Sequence, residues 1–133
     1  MIVGIGLEMV KIDPIDAWLA GDGGAFDDVF APDEITYAEG KRRSGEHLAG
    51  RWAAKLAFLK ATSLTQAQVG PLSQIEIIRH PSGKPELRLA PAVLQLLEPI
   101  GSPTLHLTLS HSGELAVAMV VAEKRKEPTD EAL

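Results

Sequence analysis

The 133-residue chain contains no cysteine. That absence excludes disulfides, thiolate zinc sites, iron–sulfur clusters and cysteine nucleophiles. Long apolar runs are missing too: nothing approaches the ~18 apolar residues of a membrane span, so no membrane association is expected. The amino end, MIVGIGLEMV, is apolar but lacks a basic leader region and a small-residue cleavage site. It does not read as a signal peptide, and a cytoplasmic protein is expected. Excess positive charge is also lacking; the formal net charge is −5, which argues against a protein that coats nucleic acid. There is no G-x-S-x-G elbow, no P-loop and no His pair at i, i+4, and the glycines of GIGLEM do not continue at dinucleotide spacing. What remains, 45% hydrophobic and 23% charged residues, is the composition of a soluble globular protein. At ~150 residues per domain the length predicts one domain with a real core. We place it over residues 1–123, with the polar 124–133 (KRKEPTDEAL) as a frayed tail.

The charge is unevenly placed. From Met1 to Glu34 eight acidic residues stand against Lys11 alone. From Lys41 to Lys60 six basic residues (Lys41, Arg42, Arg43, Arg51, Lys55, Lys60) stand against Glu46 alone. The second stretch is either a solvated helix face or a docking site for an anion, whether a phosphate ligand or an acidic protein.

Ile2 to Val10 reads as a buried strand whose Gly4 and Gly6 mark a bulge or a close backbone approach. Asp13-Pro14 reads as N-cap and first position of a helix through Trp18 and Leu19, ending before the loop Gly21-Asp22-Gly23-Gly24. Pro32-Asp33-Glu34 opens a short helix that Gly40 ends. Ser44 is the expected N-cap of a long helix over 45–62, whose five alanines permit close packing while Leu48, Trp52, Leu56 and Leu59 recur at helical spacing. Strands are expected over 74–79, 86–89, 104–110 and 115–122, with a turn at Ser82–Pro85, a helix over 92–97 and a turn at His111–Glu114. Helices cluster early and strands late, which predicts an α+β domain with a mostly antiparallel sheet packed on the long helix.

Several residues could carry chemistry. Glu8, placed where the first strand ends, is either a solvated carboxylate or a ligand for a hard cation. Lys55 and Lys60 either snorkel from a packed helix or meet a ligand. Leu56 shares a face with Lys60, where a carboxylate would have paired with the lysine and offered oxygen to a metal. The Gly83-Lys84-Pro85 turn is either a tight connection or a close approach to a phosphate. His111, flanked by Ser110 and Ser112 at the exit of a buried strand, belongs either to a turn or to a site.

Taken in order, VGIGLEMVKI, VFAPDEITY, LAGRWAAKLAFLKA, the GKP turn and LTLSHSGELAVAMVVAE resemble the holo-acyl-carrier-protein synthases, the small 4′-phosphopantetheinyl transferases. The resemblance implies that family's α+β fold and transfer of phosphopantetheine from coenzyme A to a serine of an apo acyl carrier protein. It also implies Mg²⁺ and a homotrimer with sites between neighbouring subunits. Carried over by position, Glu8 falls on the first metal carboxylate and Lys60 on the lysine that contacts the diphosphate, which makes these two the implied catalytic pair. Lys55, Lys60, Gly83, Lys84, Pro85, Ser110 and His111 are then the residues expected to hold coenzyme A. The basic 41–60 segment is expected to dock the acidic carrier protein.

Three positions depart from the family's pattern. Glu8 stands for Asp, Pro14 for an arginine used in partner binding, and Leu56 for the glutamate that is the second metal carboxylate. Loss of a general base typically costs about 10²–10⁴ in rate. The expected activity is therefore an impaired transfer; the alternative is a non-catalytic homologue that binds coenzyme A or a carrier protein.

Overall fold

A computed structural model describes residues 1–21 and 26–125. Strand β1 (Ile2–Lys11) runs directly into helix α1 (Ile12–Ala20), and a single turn, α2 (Phe26–Val29), precedes α3 (Pro32–Glu39). The long helix α4 (Ser44–Thr62) follows, then the short α5 (Gln66–Val69) and a 3₁₀ turn at Leu72–Gln74. Hairpin β2 (Ile75–Arg79) and β3 (Pro85–Leu89), helix α6 (Pro91–Leu97) and hairpin β4 (Thr104–Ser112) and β5 (Leu115–Glu123) complete the described residues. The strands form two antiparallel sheets, one ordered β1-β5-β4 and the other β2-β3. Among the described residues no helix is long and apolar enough to cross a membrane.

Helix α4 lies across β1 and β5, and its alanines explain how closely. Ala53, Ala54, Ala57, Phe58 and Ala61 form the main core with Ala118, Val120 and Ala122 of β5, Ile75 and Ile77 of β2, and Val93 and Leu97 of α6. On β1 a Cβ at Gly4 would run into the carbonyl oxygen of Ala61, and one at Gly6 into that of Ala57. Strand backbone thus rests on helix backbone, the close approach that the two glycines foretold. We expect Gly6→Ala to cost about 1–3 kcal/mol, the usual range for overpacking against atoms that cannot swing aside. Urea denaturation measures this. A second cluster joins Ile12, Ile15, Phe30, Leu48, Ala49 and Ala116. Trp18, Phe26, Phe30 and Trp52 pack there with ring centroids 3.9–6.3 Å apart.

Several expected boundaries move. Lys11, not Asp13, is the N-cap of α1: Ile12 N–H donates to Glu114 O at 2.8 Å, so the chain turns into the helix straight from the sheet. Asp13 and Pro14 sit in the first turn, where amides have no intrahelical acceptor and a carboxylate meets the positive end of the helix. Ser44 does not cap α4. Its hydroxyl donates backwards, to Ala38 O at 2.9 Å and Lys41 O at 3.2 Å, and Arg43 occupies the cap position. His111 and Ser112 are strand residues paired with Ala116 and Leu115, which leaves Gly113 (φ +59°) and Glu114 as the turn. The expected loop at Asp22–Gly24 lies outside the described residues. So does the tail from residue 126, but Lys124 is not frayed: its amide donates to Met1 O at 2.8 Å. The connection after α4 holds the missed helix α5, closed by Thr65 and Gln68. The Thr65 hydroxyl accepts from Gln68 N–H and the Gln68 carboxamide oxygen from Thr65 N–H.

Candidate active site

Glu8 is not at a strand end. It lies within β1 opposite Ala118, on the same strand face as Gly4 and Gly6, and so points toward α4. Its Oε1 is 2.9 Å from Lys60 Nζ, which also donates to Leu7 O at 3.2 Å. The lysine is thus held to β1 at two points. Leu56, one turn before Lys60, packs against the main core beside Trp52 and presents no oxygen.

A cleft of about 340 Å³ opens elsewhere on α4, between the helix, the β2–β3 hairpin and the end of β4. It gathers Gly83, Pro85, Ser110 and His111, four of the expected residues, with Tyr37, Glu46, His47, Arg51 and Arg79. Tyr37, His47 and Arg79 escaped the sequence reading, which had Glu46 and Arg51 only as members of the basic stretch. Three cations ring Tyr37: Lys41 Nζ at 4.6 Å, Arg51 Cζ at 4.5 Å and Arg79 Cζ at 5.6 Å from its centroid. Arg79 also donates to the Tyr37 hydroxyl at 2.6 Å. Crowded cations beside an open cavity attract an anion. Their one counterweight in the lining is Glu46. Its buried Oε1 lies 2.7 Å from His111 Nδ1 and 3.6 Å from Arg43, yet accepts no well-aligned hydrogen bond. Lys84 is exposed at the tip of its hairpin and does not line the cleft; its carbonyl accepts from His80 N–H.

His47 is held below the ordinary 6.5, chiefly by burial and then by Arg51, Lys41 and Arg79, with Glu46 opposing. A lowered value means that the folded state favours neutral imidazole. The stability it contributes is present above pH 6.5 and is lost as pH falls through the folded value. We expect acidification from pH 7 to 5 to destabilise the chain less in His47→Gln than in wild type. Paired urea titrations at the two pH values measure the difference.

Lys55 does not reach either place, so the expectation that it holds coenzyme A is corrected. Its ammonium is fully buried and donates to Glu34 Oε1 at 2.6 Å, Leu72 O at 3.1 Å and Ile75 O at 2.6 Å. Burial pushes its pKa down, with Glu34 opposing. Arg51 is buried as well, its Nε 4.0 Å from Glu34 Oε2. The basic 41–60 segment therefore presents Lys41, Arg42, Arg43 and Lys60 to solvent, while Lys55 serves the interior and the buried Arg51 lines the cleft.

Mg²⁺ demands near-octahedral oxygen at ~2.1 Å and usually takes one or two carboxylates with substrate phosphates. Among the described residues no three Asp, Glu, His or Cys side chains cluster as ligands. Glu8 is alone, and an ammonium already faces it. By Coulomb's law a doubly charged ion ~4 Å from an ammonium is repelled by roughly 2 kcal/mol in water and roughly 8 kcal/mol at an effective dielectric of 20. These residues do not fit the two-carboxylate cage that the resemblance implies.

A small α+β domain of two antiparallel sheets on one alanine-rich helix, with a cation-lined cleft, is the class that fold and site define. Residues 4–120 match the family model of the 4′-phosphopantetheinyl transferase superfamily. The chain is 38% identical over 125 residues to a holo-[acyl-carrier-protein] synthase of Geobacter sulfurreducens, spanning 93% of this chain and 99% of that protein. Among solved structures it is similar to the holo-[acyl-carrier-protein] synthase of Neisseria meningitidis, with TM-score 0.82 and 32% identity over 93% of this chain and 100% of that one. It is also similar to the ACPS–CoA complex of Chronobacterium ammoniagenes, with TM-score 0.77 and 34% identity over 92% and 98%. The chain belongs to the holo-[acyl-carrier-protein] synthase family.

Proposed function

We propose that the chain transfers 4′-phosphopantetheine from coenzyme A to a serine of an apo acyl carrier protein, with impaired activity. In this reaction the serine oxygen attacks the β-phosphorus and the bond to the bridging oxygen breaks. Adenosine 3′,5′-bisphosphate leaves, and the serine proton passes to solvent. One observation carries the proposal: two family segments far apart in sequence, the GKP turn and the Ser110-His111 strand, meet around a cavity lined by Arg51 and Arg79, with Lys41 beside them on the Tyr37 ring. Such a cavity suits the phosphates of a nucleotide. Glu8 and Lys60 are the residues proposed to meet the diphosphate. Mg²⁺ finds no two-carboxylate cage among the described residues. The transferase domain is proposed to occupy residues 1–123 of a cytoplasmic protein that binds neither membrane nor nucleic acid.

The acidic carrier is proposed to dock on Lys41, Arg42 and Arg43. The start of α1 cannot serve it, because Pro14 stands there between exposed Asp13 and Asp16. A second reading, binding of coenzyme A or carrier without transfer, is favoured by Leu56. One experiment separates them. Incubation with coenzyme A, a divalent cation and apo carrier, read by mass spectrometry, shows the added phosphopantetheine arm if transfer occurs. An unmodified carrier with calorimetric heat on addition of coenzyme A or of carrier supports the second reading; no product and no heat with either ligand removes both.

The outer face of β1 and β5 supports a homotrimer. Val3, Ile5, Leu7 and Met9 of β1, with Leu115 and Met119 of β5, are exposed on one sheet face. An apolar patch of this kind marks an interaction surface. Among the copies so joined, the cleft and the Glu8–Lys60 pair of neighbouring subunits can share one elongated substrate. We expect sedimentation velocity to give a trimer for wild type and a monomer for Ile5→Glu/Met119→Glu. A monomeric wild type removes this part of the proposal.

A further inference from the structure

We infer that this chain holds coenzyme A without a divalent cation, because the Lys60 ammonium already neutralises Glu8 and Leu56 withholds the second carboxylate. The inference rests on the coenzyme A reading above and concerns how that site is charged.

The restraint begins in β1. Gly4 and Gly6 set the strand directly against the carbonyls of Ala61 and Ala57, so Glu8, two residues further along the same face, is carried close to α4 and cannot retreat. Lys60 meets it there at 2.9 Å and spends a second donor on Leu7 O. The lysine side chain is 59% exposed, but its two contacts keep the ammonium beside Glu8, and a metal ion would have to approach against that charge. On the helix side, the row Trp52, Leu56, Lys60 places an apolar side chain between an aromatic packed in the core and the ammonium. A hard cation that surrenders its water reluctantly gains one contested carboxylate at this place and nothing more from the chain.

The pair is electroneutral, which has a second effect. It attracts a cation only weakly and meets the diphosphate without a net charge, so most of the anchoring of an anionic ligand falls to the cleft, lined by Arg51 and Arg79 around Tyr37 with Lys41 beside the same ring. None of those cations needs a metal to bind phosphate. Affinity for coenzyme A is then set by the cleft and is indifferent to magnesium.

Two titrations on the full chain test this. Calorimetry with coenzyme A, in EDTA and in excess magnesium chloride, is expected to give dissociation constants within about twofold of each other. Titration of Mn²⁺ followed by electron paramagnetic resonance is expected to leave the free-ion signal undiminished by wild type and diminished by Leu56→Glu. A dissociation constant tightened about tenfold or more by magnesium overturns the inference. So does Mn²⁺ bound by wild type and lost in Glu8→Gln, or equal uptake by wild type and Leu56→Glu. If coenzyme A binds under neither condition, the coenzyme A reading and this inference from it both fall. The Mn²⁺ titration separates the two, because it reports on Glu8, Leu56 and Lys60 whatever the nucleotide does.

Discussion

Glu34→Ala is expected to lower the stability of the chain by about 3–5 kcal/mol, the cost of leaving a buried charge without its partner. Glu34 is enclosed within the protein and each of its oxygens is used. Oε1 accepts from Ala31 N–H at 3.0 Å and from Lys55 Nζ at 2.6 Å, and Oε2 accepts from Ile77 N–H at 3.2 Å. One carboxylate thus joins the start of α3, the middle of α4 and strand β2. Alanine orphans two amides and leaves Lys55 with only the carbonyls of Leu72 and Ile75. Against a typical total of about 5–15 kcal/mol, that loss brings the variant near the edge of folding.

The sign with pH follows from Lys55. Its lowered pKa means that the unfolded chain holds this proton more firmly than the folded one. Stability therefore rises with pH across the window from the folded value up to 10.5, the ordinary one. Without Glu34 the folded value drops further and the window opens at lower pH, so the deficit of Glu34→Ala shrinks as the solution is made alkaline. Urea denaturation at neutral and alkaline pH measures both effects. A neutral-pH loss under about 1 kcal/mol contradicts the account. The double variant Glu34→Leu/Lys55→Met is expected to regain part of the loss, because an apolar pair of similar volume carries no desolvated charge, although the amides of Ala31 and Ile77 stay without their acceptor.

That buried pair also shows where sequence reading reaches its limit. The long helix, the alternating β4 and the glycine contacts of β1 were legible because each is written in local spacing: 3.6 residues, two residues, or a missing Cβ. The role of Lys55 was not. Its partner stands 21 positions away on another helix, and a lysine on an amphipathic helix looks the same whether it snorkels outward or is drawn inward. Ser44 misled for a related reason, since its hydroxyl is claimed by Ala38 O before it can cap. The cleft shows the same contrast. Ser110, His111 and the GKP turn were noticed from their motifs, whereas Tyr37, His47 and Arg79 come from three elements and belong together only after folding. Glu8 was read as a strand-end residue because the apolar run of the first strand stops at Val10. The sheet continues to Lys11 because Leu115 pairs with it across the ladder.

Leu56→Glu is expected to raise transfer by about 10²–10⁴, the usual contribution of a positioned general base. The substitution places a carboxylate four residues before Lys60 on the same helical face, the favourable order for an ion pair. Lys60, now held in common with Glu8, gives up part of its hold on β1, and Glu8 regains charge that the ammonium had cancelled. The new side chain stands beside the pair proposed to meet the diphosphate, where a carboxylate can take the serine proton. Some stability is lost because Leu56 packs against the core, but its partial exposure gives the carboxylate a route to solvent, so the variant is expected to fold. Single-turnover formation of the modified carrier, followed by mass spectrometry, measures the gain. Leu56→Gln supplies the same shape without charge or basicity and is expected to gain nothing; equal gains from the two variants would show that bulk, not the carboxylate, had been missing. A wild type already as fast as Leu56→Glu would mean that the reacting hydroxyl finds its base elsewhere in the fold.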